Sequence, residues 1–161
     1  MNTTCHICKL ALNTTFDACP QCATNLADPS AESIVLSSDK PTMLPEDRMF
    51  ETPIVLILTN TRLLMINKEE TKKPGSGLVG GAIGGAIAGA KAALAEDTLQ
   101  VRDCVSISLD NIATLETKGL GLIKIFFLFT ITTKDGSKHL TAMHKKIAPE
   151  WETEIRKRIA G

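Results

Sequence analysis

Four of the five cysteines fall in two close pairs, Cys5-His6-Ile7-Cys8 and Cys19-Pro20-Gln21-Cys22, with ten residues between the pairs. A C-x2-C turn sets two thiols on one side of a tight backbone loop. Two such loops facing each other supply four soft ligands in the tetrahedral arrangement that zinc prefers. Four protein ligands leave no coordination position for water, so the predicted site is structural and not catalytic. A redox-active dithiol is the alternative, but it calls for a C-x-x-C opening a helix within a larger βαβ fold, and no such pattern surrounds these residues. His6 lies inside the first turn beside two better-placed thiolates and is predicted to face solvent. A segment of about thirty residues buries too little apolar surface to fold alone, so the metal is expected to supply most of its folding free energy, on the order of 10 kcal/mol.

The remaining chemical candidates make no active site. Cys104 lies between two strand-like runs with no base near it in sequence, and reads as a small buried or edge thiol. No G-x-S-x-G, phosphate-binding glycine loop or H-E-x-x-H motif is present. Lys134, Lys138, His139, His144, Lys145 and Lys146 suggest a basic patch at one end of the last hairpin. It reads either as a solvated face balanced by Asp135 and Glu150 or as a contact for an anionic lipid headgroup or acidic partner, at about 1 kcal/mol per well-placed cation.

Composition bounds the rest. With 161 residues there is room for one ordinary domain and a small appendage. Lysine plus arginine equals aspartate plus glutamate at 18 each, so any electrostatic partner must be met locally. Hydrophobic residues reach 43% while aromatics are 4%, which predicts an aliphatic core. Met1 to Lys9 shows no secretory pattern, so a cytosolic, reducing compartment is the expectation.

The elements that must position these residues follow from periodicity. Asp28 to Ser33 reads as a linker or as the entry to a first strand at Ile34 to Ser37. Pro53 to Leu58 and Arg62 to Asn67 are β-rich apolar runs joined by Thr59-Asn60-Thr61, a hairpin. Short strands are predicted at Leu99 to Arg102, Val105 to Leu109 and Ile112 to Lys118. Leu122 to Thr133 and Lys138 to Met143 flank Asp135-Gly136, the strongest hairpin signal in the chain. Pro149 opens an amphipathic helix with Trp151, Ile155 and Ile159 on one face, acidic residues early and basic ones late. The predicted fold class is α+β: a small N-terminal metal knuckle, then a strongly bent antiparallel sheet or partly open barrel with a capping C-terminal helix.

Residues 3 to 26 resemble the short zinc ribbons at the start of many bacterial proteins. Some ribbons bind nucleic acid through lysine, arginine and aromatic residues, whereas this one offers Lys9 and Phe16 against Asp17 and Asp28, so no nucleic-acid contact is expected. The run Val55 to Leu64, with Ser108 to Ile112 and the Asp135-Gly136 turn, is similar to the pattern of GRAM-like and bacterial pleckstrin-homology-like domains across residues 32 to 160. That resemblance implies a module that binds lipid, peptide or protein without catalysis. The expected division is a zinc ribbon over 1–30 and a PH/GRAM-like domain over 31–161.

Within the second unit, 74–96 is a glycine-alanine insert that departs from the compact family pattern. Gly77, Gly81, Gly85 and Gly89 recur every four residues, giving on a helix a smooth glycine-zipper stripe that lets another backbone approach closely. Each glycine costs up to about 1 kcal/mol of helix stability, so the segment needs something to pack against. Leu78 to Ala90 is too short to span a bilayer. Packing against the same domain or a second copy is the favoured reading, and insertion into a membrane interface the alternative. The sequence thus predicts a cytosolic, non-enzymatic binding or scaffolding protein with structural Zn2+ and a protein partner or self-association. The runner-up is a peripheral membrane protein touching anionic lipid through the insert and the basic hairpin end.

Overall fold

The computed structural model describes residues 3–12, 16–44, 52–68, 102–120 and 125–160. The glycine-alanine insert with Gly77, Gly81, Gly85 and Gly89 lies outside the described residues, as do Leu99 to Val101 and Leu122 to Lys124.

A small hairpin pairs β1 (Thr3–Thr4) with β2 (Ala11–Leu12). The main sheet contains β3 (Ile34–Ser38), β4 (Thr42–Leu44), β5 (Thr52–Thr59), β6 (Arg62–Asn67), β7 (Cys104–Ser108), β8 (Ile112–Leu120), β9 (Phe126–Thr133) and β10 (Lys138–His144). Its order is β7-β6-β5-β4-β10-β9-β8, all pairs antiparallel, with β3 beside β5. β3 and β4 act as one interrupted strand: β3 pairs with the second half of β5, and β4 pairs with its start and, on its other edge, with β10. The sheet is not closed into a barrel. Its two ends, β7 and β8, are joined in sequence by the single 3-10 turn Leu109–Asn111.

Helix α1 (Ala148–Ile159) begins with proline in its first turn and ends on Arg156, Lys157 and Arg158, a charge order that suits the helix dipole. Trp151 and Ile155 turn inward with Ala148, and Ile159 packs beside them. The core they join holds Ile54, Leu56 and Leu58 of β5, Leu63 and Met65 of β6, Leu115, Phe129, Ile131 and Met143. At the tip of the β9–β10 hairpin Gly136 takes φ 88°, where a side chain would be strained, and Asp135 Oδ1 accepts from the Ser137 amide at 2.9 Å and from the Thr133 hydroxyl.

The β5–β6 hairpin is apolar on both faces. Directly opposed residues share a face, so Val55, Ile57, Leu64 and Ile66 point away from the core just described. Such continuous apolar strands form only where both faces are covered. The cover on the outer face is the cysteine knuckle.

Candidate metal centre

The two cysteine loops are the same turn built twice. In the first, the Cys5 amide donates to the Leu10 carbonyl at 2.9 Å and the Lys9 amide to the Cys5 carbonyl at 3.0 Å. In the second, the Cys19 amide donates to Thr24 and the Ala23 amide to Cys19, both at 2.8 Å. The residue after each second cysteine, Lys9 at φ 63° and Ala23 at φ 55°, takes the left-handed conformation that folds the loop back. Lys9 further donates its ammonium to the His6 carbonyl at 2.7 Å.

These turns bring all four Sγ atoms within 4.8 Å of one another. Cys5 and Cys22 are 3.7 Å apart and Cys8 and Cys19 3.5 Å, far beyond a disulfide and close to the edge of about 3.8 Å that a tetrahedron with metal–sulfur bonds of about 2.3 Å requires. Cys5, Cys19 and Cys22 are buried and Cys8 half-buried. Hydrogen bonding from Cys19 pulls the Cys5 thiol well below its ordinary range and brings Cys22 down to about 7; the partners Cys8 and Cys19 are pushed upward, by Cys19 and Cys22 respectively. Four sulfurs this close cannot all ionise without a cation, and a divalent ion that displaces their protons resolves the crowding. The cluster is suited to hold a metal ion, and its donor set, geometry and burial fit zinc. His6 is not in the cluster. Nor is it simply solvent-facing as the sequence suggested: it is half-buried, with Nε2 3.2 Å from the Glu32 carbonyl oxygen.

The knuckle sits on the outer face of the hairpin. Ile7 and the cysteines pack against Ile57, Leu64 and Ile66, with Leu10, Leu26, Val55 and Cys104 around the margin. A polar clasp closes the edge of this contact. Arg62 forks onto Glu32 through Nε and a terminal nitrogen, both at 2.7 Å, and also donates to the Cys22 carbonyl at 2.6 Å, the Thr24 hydroxyl at 2.8 Å and Ser106 Oγ at 3.3 Å. All five guanidinium N–H groups are thereby used. Burial works against the Glu32 charge, but hydrogen bonds from Arg62, Thr59 and Thr24 outweigh it and hold the carboxyl below its ordinary value. The Thr24 hydroxyl lies 3.0 Å from Cys22 Sγ, so the clasp reaches one of the four clustered sulfurs directly. On the far side, Gln21 pairs its side-chain amide with the Arg102 peptide, donating to its carbonyl at 2.5 Å and accepting from its amide at 2.6 Å.

Glu32, Arg62, Thr24 and Gln21 carry this interface, and sequence reasoning singled out none of them. The available signal was an arginine and a threonine bounding a hairpin apolar on both faces. The 28–33 segment, read as a linker or the entry to a first strand, leads into β3 and is pinned: the Ser33 amide donates to Asn60 Oδ1 at 2.9 Å and Glu32 is buried.

Cys104 lies at the start of β7 on the knuckle's margin, its thiol pushed up to about 12 by burial first and by the nearby Cys22 charge second. His139 is half-buried, and that burial lowers its pKa below the ordinary imidazole value. The basic residues proposed as one patch divide between two places. Lys134 and Lys138 flank the β9–β10 turn, while Lys145 and Lys146 follow the other end of β10, about 20 Å away along a seven-residue strand. Among the described residues no helix is long and apolar enough to cross a membrane. No protein-family model matches the chain, and a search of curated proteins finds no match.

Proposed function

We propose that this protein is a non-enzymatic binding module in which Cys5, Cys8, Cys19 and Cys22 hold a structural Zn2+, the zinc knuckle braces a PH/GRAM-like sheet, and the glycine-alanine segment at 74–96 contacts a protein partner or a second copy of the chain. The observation that carries this reading is the docking of the cysteine cage: three of its four sulfurs are buried against Ile57, Leu64 and Ile66, where a metal serves shape and has no open position for substrate. The PH-like assignment is supported by an antiparallel sheet whose interrupted first strand joins β5 to β10 and whose last element is a helix packed against the core. The glycine spacing supports close backbone packing at 74–96.

Light scattering on a sizing column tests the contact. The full chain should form an assembly above the monomer, or retain a partner through purification, and deletion of residues 77–90 should abolish it while leaving bound zinc unchanged. An unchanged mass and unchanged partner after deletion would overturn the role given to this segment.

A further inference from the structure

The open sheet ends on one side in β8, nine residues long against the five of β7 at the other end. Among the described residues its main chain pairs with β9 alone. The opposite edge therefore offers a row of N–H and C=O groups, the template on which another strand adds. Past the irregularity between Ile112 and Thr114, the pairing with β9 runs unbroken through seven residues, Thr114 to Leu120, and Thr117 is their midpoint.

The side chains along this stretch suit a copy of themselves. Glu116 lies opposite Thr130 and Lys118 opposite Leu128, both exposed on the outer face, and neither has an ion-pair partner among the described residues. Thr117, opposite Phe129, is half-buried on the inner face, and its Oγ1 is buried without a hydrogen-bond partner, the one such side-chain atom among the described residues. Directly opposed residues of antiparallel strands share a face, so a two-fold axis relating two β8 strands must pass through a residue and not between two. An axis at Glu116 or at Lys118 sets like charges against each other, and axes further out shorten the overlap. An axis at Thr117 sets Glu116 against Lys118 of the second copy at two places, Leu115 against Gly119 and Thr114 against Leu120. Thr117 then meets itself, and a Thr–Thr pair hydrogen-bonds across strands, which supplies the missing partner.

We propose that β8 is an edge for homodimerisation: two copies join antiparallel through residues 114–120 about a two-fold axis at Thr117, so that two sheets become one and the Glu116–Lys118 pairs fix the register. This contact is separate from the metal centre and from the segment at 74–96, and it rests on the role proposed for neither. A single strand edge buries little surface, so the dimer is of the weak, transient kind that dissociates on a sizing column.

Sedimentation equilibrium of the full zinc-loaded chain, from micromolar to millimolar concentration at low salt, tests it with a charge swap. Lys118→Glu and Glu116→Lys should each weaken dimerisation by about tenfold, because like charges then meet at two places. The double change Glu116→Lys with Lys118→Glu restores opposite pairs and should return it to within about threefold of the wild type. Amide hydrogen exchange should slow with concentration at alternate residues of the 114–120 stretch, those not already bonded to β9. The same swap series should hold in the chain lacking residues 77–90. Zinc content and thermal midpoint, measured for each variant, show that the fold is intact. A chain that stays monomeric throughout, or a double swap no better than the single changes, would overturn the proposal. So would a dimer that ignores the charge changes and disappears when residues 77–90 are deleted, an outcome that leaves the contact at 74–96 standing.

Discussion

Leu63 and Leu64 are neighbours on β6, both fully buried, and they face opposite worlds. Leu63 looks into a core closed by Phe129, Ile131, Met143 and Trp151, large side chains that fill volume by themselves. Leu64 looks out at a knuckle whose apolar contribution is little more than Ile7, Leu10, Leu26 and four sulfurs. The inner face is held by packing, which is intrinsic to the chain. The outer face is held by a four-cysteine cage suited to a metal ion and by one arginine with all five donors engaged. Two buried faces of one hairpin therefore have different dependencies, and only one of them can be switched off by chemistry.

The largest expected break in this symmetry is removal of the metal. Chelation, or Cys5→Ser, should remove a term on the order of 10 kcal/mol from the knuckle and uncover Ile57, Leu64 and Ile66. A hydrophobic dye should then bind while Trp151 emission stays that of a buried indole; a simultaneous red shift of Trp151 would show that the two faces are not independent. The clasp comes next. Arg62→Met leaves Glu32 charged and unpaired at the interface and should cost about 3–5 kcal/mol in denaturant melts, whereas the double change Glu32→Leu with Arg62→Met should cost clearly less. Equal losses would mean that the arginine acts by contacts other than this carboxylate.

The sign of the acid dependence follows from the same pair. Glu32 is held below its ordinary value in the folded protein, so its contribution is complete above the unfolded carboxyl value and is lost as pH falls through the folded one. Glu32→Gln should therefore lose stability at neutral pH and show a shallower acid decline than the wild type, read as the difference between two urea titrations. A parallel decline would contradict it.

Sharper still is the pair of adjacent truncations. Leu63→Ala and Leu64→Ala should each cost about 2–5 kcal/mol in the metal-loaded protein. After chelation the Leu63→Ala penalty should persist and the Leu64→Ala penalty should largely vanish. The smallest effect belongs to the loop backbone. Ala23→Gly should be neutral or stabilising by no more than about 1 kcal/mol, because glycine relieves the left-handed strain but loses more entropy on folding, while Ala23→Val should destabilise.

Much of this was legible in the sequence, for reasons that can be located. The C-x2-C pairs announced the cage because the turn they require is local. The strand Arg62–Asn67 and the inward face of α1 were readable because period-2 and period-3.6 patterns act within one element. What pattern alone did not disclose is what covers what. β4 is three residues long behind Pro41, too short to show a period. Glu32 sits among small polar residues that imitate a linker, and its partner Arg62 lies thirty residues on. The six basic residues near the C-terminus looked like one cluster because sequence separation is short, yet an extended strand spends that separation on distance. The apolar outer face of β5 and β6 was the one visible hint that the knuckle docks.

Zinc K-edge absorption on the purified full chain tests the account most directly. One zinc per chain with four sulfur neighbours at about 2.3 Å is the expected result, unchanged when His6 is replaced by alanine. A nitrogen or oxygen neighbour at about 2.0–2.1 Å, or a chain that folds and docks its knuckle without any bound metal, would contradict it.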